Sequence, residues 1–240
     1  VEKEPSSANI QTSLQRFLSE EDYSELQKQL YQKIQEKTDI PHYGELLQWT
    51  FTQKKEYDKA LRQAKALDRQ FEENGNRVYN LADVAFKDKD YNTSIDAYQY
   101  IVNNHGRNTS YYLDSKRGLL NSKKAKVTEN FNYSKDDLMV LKKEYLSFLN
   151  ELGRNTQTAT LMQEFADFEA LYVNELDTAI TILEELRQFG GLSPDAIAKA
   201  KLALGDYYLM NGDRWEASLL FSQVDKDFKE GLLGEYARER

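Results

Sequence analysis

Apolar side chains recur along this chain at helical spacing, in short blocks of one design. In KKEYDKALRQA (54–64), Tyr57, Ala60 and Ala64 fall on one helix face, and in DKDYNTSIDAY (88–98), Tyr91, Ser94 and Tyr98 do the same. Side chains three and four positions apart stack on one side of an α-helix, so each block predicts an amphipathic helix. The two blocks stand 34 residues apart, as do Tyr23 and Tyr57, and Leu47 and Leu81 in the segments before them.

Two further blocks follow, LDTAITILEEL (176–186) and RWEASLLFSQV (214–224). A small residue holds the same place in four blocks, as Ala60, Ser94, Ala179 and Ala217. Four positions on come Ala64, Tyr98, Leu183 and Phe221. A small side chain lets two helices approach, and a large one beside it fills the groove. Leu26 takes the small place in the first block, which is irregular.

An acid precedes each predicted helix: Asp22, Glu56, Asp90, Glu175 and Asp213. Acids fill 40 of the 240 positions, so five in register by chance is on the order of one in several thousand, before the choice of register is discounted. A carboxylate there can accept hydrogen bonds from first-turn N–H groups and faces the positive end of the helix dipole.

In KLALGDYYLMNGDRWEASLLF (201–221), Leu204, Gly205, Tyr208, Ala217 and Phe221 resemble the tetratricopeptide repeat (TPR), a 34-residue helix–turn–helix unit. NLADVAF (80–86) and ELLQWTF (45–51) are looser versions. Lys201 stands where an aromatic is usual, Asp167 where Gly or Ala is usual, and the closing Pro is absent. The resemblance implies an all-α, right-handed solenoid of stacked antiparallel helix pairs. Repeats are predicted near 9–40, 41–74, 75–108, 109–157, 158–197 and 198–231, after a loose start at 1–8, within one solenoid over 9–240. A further helix is expected from 232 to 240. The long fourth repeat predicts a helix over 110–127 and a return helix over 135–153. Ser193 as N-cap with Pro194 in the first turn, and Pro41, read as helix starts. Asn74-Gly75 and His105-Gly106 read as left-handed stops.

Composition agrees with an all-α chain. Gly (11) and Pro (3) are scarce and 30% of residues are charged. No apolar run approaches the roughly 18–20 residues of a spanning helix, so no membrane insertion is expected. The net charge of −8 argues against nucleic acid. The basic run SKRGLLNSKKAK (115–126) reads as a solvated helix face. There is no cysteine. His42 and His105 have no metal-ligand spacing around them, and no phosphate loop or nucleophile motif occurs. Neighbouring acids such as Glu184 and Glu185 diverge on a helix by about 100°. No catalytic residue, metal or cofactor is therefore predicted.

The resemblance places the partner-binding groove on the first helices of the pairs. In register, its lining would be Trp49, Tyr79, Asp83, Phe86, Arg117, Phe168, Tyr172, Asp206, Leu209 and Met210. Cations are few on this wall, which speaks against a clamp for a C-terminal carboxylate and for a hydrophobic or basic protein segment. The expected role is a non-catalytic scaffold for protein or peptide binding. The alternative is a structural segment of an envelope assembly protein whose groove is filled by its own chain or by copies of itself. Leu232, Leu233 and Tyr236 do not read as a capping surface, so the array is expected to continue past Arg240. The segment 202–240 resembles long exported bacterial TPR proteins, which implies the periplasm or envelope, with the cytoplasm as the alternative.

Overall fold

A computed structural model describes residues 7–37, 40–129 and 133–240; most of the predicted loose start, residues 1–6, lies outside the described residues. All regular structure among the described residues is helical. The chain forms two compact units, Val1–Glu129 and Asn130–Arg240. In the first, α1 (Ser7–Phe17), α2 (Glu20–Glu36), α3 (Pro41–Gln53), α4 (Tyr57–Phe71), α5 (Asn76–Lys87), α6 (Tyr91–Asn104) and α7 (Tyr112–Thr128) follow one another. From α2 onward each helix packs on the next, and α5 also touches α7. In the second, α8 (Lys135–Leu152), α9 (Ala159–Phe168), α10 (Leu176–Leu186), α11 (Pro194–Asn211), α12 (Arg214–Asp227) and α13 (Leu232–Glu239) likewise pack in sequence.

The acid column marks the tight turns, but the expected side-chain capping does not account for it. Glu56, Asp90, Glu175 and Asp213 are each the N-cap of the helix that follows, but among these four only the Asp90 carboxylate accepts a first-turn N–H, that of Thr93. Asp22 lies inside α2 and forms a reciprocal capping box with Ser19. The common device is the backbone. The N–H groups of Glu56, Asp90 and Asp213 donate to carbonyls five residues back, at 2.9, 2.9 and 2.8 Å, which closes the preceding helix as a Schellman turn. The residue before each acid is left-handed: Lys55, Lys89 and Gly212 have φ of 56°, 64° and 93°. One residue therefore ends a helix and begins the next.

The second unit contains an exception. Glu175 N–H reaches six residues back, to the Glu169 carbonyl at 2.8 Å, because a π-helical turn over Glu169–Val173 absorbs one extra residue. The turn brings Glu169 fully inside, where one carboxylate oxygen accepts from Lys142 Nζ at 2.6 Å and Oε1 makes no hydrogen bond. Burial holds this carboxyl above its ordinary value of 4.5, and Lys142 pulls it back. The folded state thus binds this proton more tightly than the unfolded chain. Its contribution to stability is greatest below pH 4.5 and falls as pH rises towards the raised folded value. Glu169→Gln removes this dependence. Melting curves at pH 4.5 and at neutral pH should show wild type losing more stability than the variant, and equal losses would disprove the assignment.

The small column is fully buried: Ala60, Ser94, Ala179 and Ala217 have no exposed surface. Ser94 satisfies its hydroxyl on the Ala82 carbonyl and on Ser122 of α7, at 3.1 and 2.8 Å. Within 115–126, read from sequence as carrying a solvated basic face, Arg117, Lys123, Lys124 and Lys126 keep exposed surface, but Lys116 does not. Ser115, Lys116, Leu119, Leu120 and Ser122 are inside, because α7 is packed by α6 on one side and α5 on another. Two helix glycines serve close approach. A Cβ on Gly118 would lie 2.4 Å from the Tyr98 ring, and one on Gly205 would lie 2.4 Å from the Phe221 ring.

Candidate functional site

Tyr79, Asp83 and Phe86 recur at helical spacing along one stripe of α5. Asp114, Arg117, Gly118 and Asn121 form the facing stripe of α7. Between them lies a cleft of about 180 Å³, floored by Tyr98 of α6. Gly118 makes this floor possible, since any side chain there would occupy the space of the Tyr98 ring. The Tyr98 hydroxyl donates to Asp83 Oδ1 and fixes that carboxylate. Tyr79 meets Tyr98 edge-on with ring centres 5.8 Å apart and stacks on Tyr111 at 4.9 Å.

Arg117 Nη1 lies 3.5 Å from Asp114 Oδ1, a long contact, and the Asp114 side chain remains 53% exposed. Burial, then the hydrogen bond to Asp83, pushes the Tyr98 phenol far up from its ordinary value. Tyr79 is raised too, first by burial and then by Asp83 and Asp114, with Arg117 opposing. Both phenols are therefore neutral at physiological pH.

Four of the residues expected from sequence, Tyr79, Asp83, Phe86 and Arg117, come together here. Trp49 does not line this cleft; it is half-buried on α3 with its ring 5.7 Å from Tyr23. In the second unit Phe168 is a correction. It is 0% exposed, stacked between Tyr145 and Tyr172 at 5.4 and 5.9 Å, and belongs to the core rather than to any wall. Phe168 shares the α9 face of Leu161 and Phe165, seven and three positions back, and all three are buried. Tyr172 is half-buried between Phe168 and Tyr133. Leu209 and Met210 are exposed at the end of α11, and Asp206 accepts from Arg240 Nε at 2.6 Å.

Sequence reasoning missed Asp114, Gly118 and Asn121, and took Tyr98 for packing alone. The available signal was a glycine inside a helical pattern, which often marks close approach. It also missed a buried knot in the same unit. Asp68, with no exposed side-chain surface, accepts from Gly75 N–H at 2.6 Å, from the Tyr100 hydroxyl at 2.8 Å and from His105 Nε2 at 2.7 Å. A carboxylate only accepts, so the facing ring nitrogen of His105 carries a proton. A broader polar cleft, lined by Gln48, Glu73, Asn76, Arg77 and Asn80, lies along α3 and α5; Arg77 is already paired with Glu73 and Glu45. Among the described residues no group of His, Asp and Glu is placed to hold a metal ion, and no helix is long and apolar enough to cross a membrane.

Antiparallel helix pairs stacked one on the next, with short Schellman turns, define the class: an all-α, TPR-like solenoid fold. Solved structures share it. The chain is similar to TTC0263, a thermophilic TPR protein in Thermus thermophilus, with a TM-score of 0.55 and 19% identity over 83% of this chain and 98% of that one. It is similar to BtubC from P. vanneervenii, with a TM-score of 0.55 and 12% identity over 93% and 91%. It also resembles YrrB, described as a TPR protein with an unusual peptide-binding site, with a TM-score of 0.51 and 13% identity over 88% and 98%. No protein-family model and no curated protein matches the sequence.

Proposed function

We propose that the protein is a non-catalytic scaffold that binds an extended segment of another protein along the first-helix wall of its pairs. The α5–α7 cleft carries this reading: aromatic rings and a few fixed polar groups converge on a concave space between two such helices. Support for a binding rather than a chemical role comes from the charges. Asp83 is engaged by Tyr98, and the cleft's phenols are shifted away from neutral pH, not towards it. The likeness to YrrB, described as having a peptide-binding site, points the same way. A random peptide library selected on the chain should yield sequences whose affinity falls about tenfold in Tyr79→Ala, the weight of a buried aromatic contact. Binding should be unchanged in Trp215→Ser, which alters a residue 81% exposed on α12. No enrichment, or enriched peptides indifferent to Tyr79→Ala, would overturn the reading.

Self-association is the second reading. Trp215 and Leu219, 81% and 54% exposed, stand one turn apart on α12 and present an apolar stripe to a second copy. It requires concentration-dependent sedimentation that Trp215→Ser abolishes.

A further inference from the structure

We propose that the α5–α7 cleft takes the cationic head of one Lys or Arg side chain from an extended partner segment; this rests on the peptide-binding reading and narrows it. Size comes first. The cleft holds about 180 Å³, whereas pockets for small molecules begin at about 300 Å³. It has room for a single side chain.

Charge then selects which one. Two carboxylates, Asp83 and Asp114, face one guanidinium, Arg117, so the cleft is net negative. Asp83 commits Oδ1 to the Tyr98 hydroxyl, which leaves Oδ2 for an incoming donor. An acidic side chain would meet two like charges. An apolar one would strip water from Asp83 without replacing its hydrogen bonds. A lysine or arginine satisfies both demands. Its aliphatic stem can lie against Phe86 and its charge against Tyr79 and the Asp83 carboxylate. The two phenols register the same field: after burial, Asp83 and Asp114 raise both.

The probes are Ac-Gly-Arg-Gly-NH2, its isostere with citrulline for arginine, and the Leu and Glu analogues, titrated into the full chain and followed by NMR. The arginine peptide should shift Tyr79 and Gly118 and saturate. Citrulline should bind about three- to fivefold more weakly, the range of a partly exposed ion pair. Asp114→Asn, at an exposed position that does not threaten folding, should erase most of that difference, as should added salt. If the leucine or glutamate peptide shifts the same resonances with equal affinity, the cation preference is wrong and the groove reading stands. If no peptide shifts Tyr79 or Gly118, both are wrong.

Discussion

Replacing Asp68 by alanine is expected to destabilise the first unit by roughly 2–5 kcal/mol, the cost of leaving two buried donors without an acceptor. Its carboxylate, on α4, holds the linker before α5 through Gly75 and α6 at two points, through Tyr100 and through His105 at its C-cap. The linker is hard to hold otherwise. Glu72, Asn74 and Gly75 all have positive φ, of 53°, 54° and 85°. Alanine would leave the Gly75 N–H and the Tyr100 hydroxyl buried without an acceptor. In the wild-type chain burial, then the hydrogen bond to Asp68, pushes that phenol up to about 12, so Tyr100 is the neutral donor of the pair. Asp68→Asn keeps an acceptor and should lose less. Urea unfolding can be followed by the fluorescence of Trp49, which lies half-buried in this unit, with Trp215 replaced by Phe. An unchanged midpoint in the alanine variant would show that the knot is decorative.

The second large effect is in the other unit. Gly205→Val should cost about 3 kcal/mol by overpacking. Its Cβ would sit 2.4 Å from Phe221 Cε1 and 2.7 Å from Cζ, and that ring is held among Ala198, Leu202, Ala217 and Val224. The ring cannot swing aside without opening the α11–α12 contact. A milder substitution isolates the cause. Gly205→Ala should destabilise the wild-type chain, yet stabilise a Phe221→Ala background by about 1 kcal/mol, because alanine is the better helix former once space exists. Thermal unfolding followed by far-ultraviolet circular dichroism reads both. The same sign in both backgrounds would refute a ring clash.

Much of this architecture was legible in the residues. The buried small column, the N-cap Ser193 with Pro194 behind it, and the helix expected over 110–127 and found over Tyr112–Thr128 follow from period and local chemistry. The turn acids were legible as a column, but their mechanism was not. Lysines at 55 and 89 in left-handed conformation are not what a turn normally recruits. Of the candidate cleft, Tyr79, Asp83, Phe86 and Arg117 were named by carrying the family resemblance over in register, and the structure brings these four together; that they bind a partner is the proposal above.

The sequence by itself determined what depends on near neighbours: helix periodicity, caps, and which face of each helix is apolar. These interactions span one or two turns and repeat with the chain. Tertiary structure alone decided the rest. It buried Asp68 because its three donors lie 7, 32 and 37 residues away. It buried Phe168 because α9 turns the face that carries Leu161 and Phe165 inward, against Tyr145 of α8. It made Gly118 the window onto Tyr98, since the space a missing side chain leaves is defined only by what packs opposite.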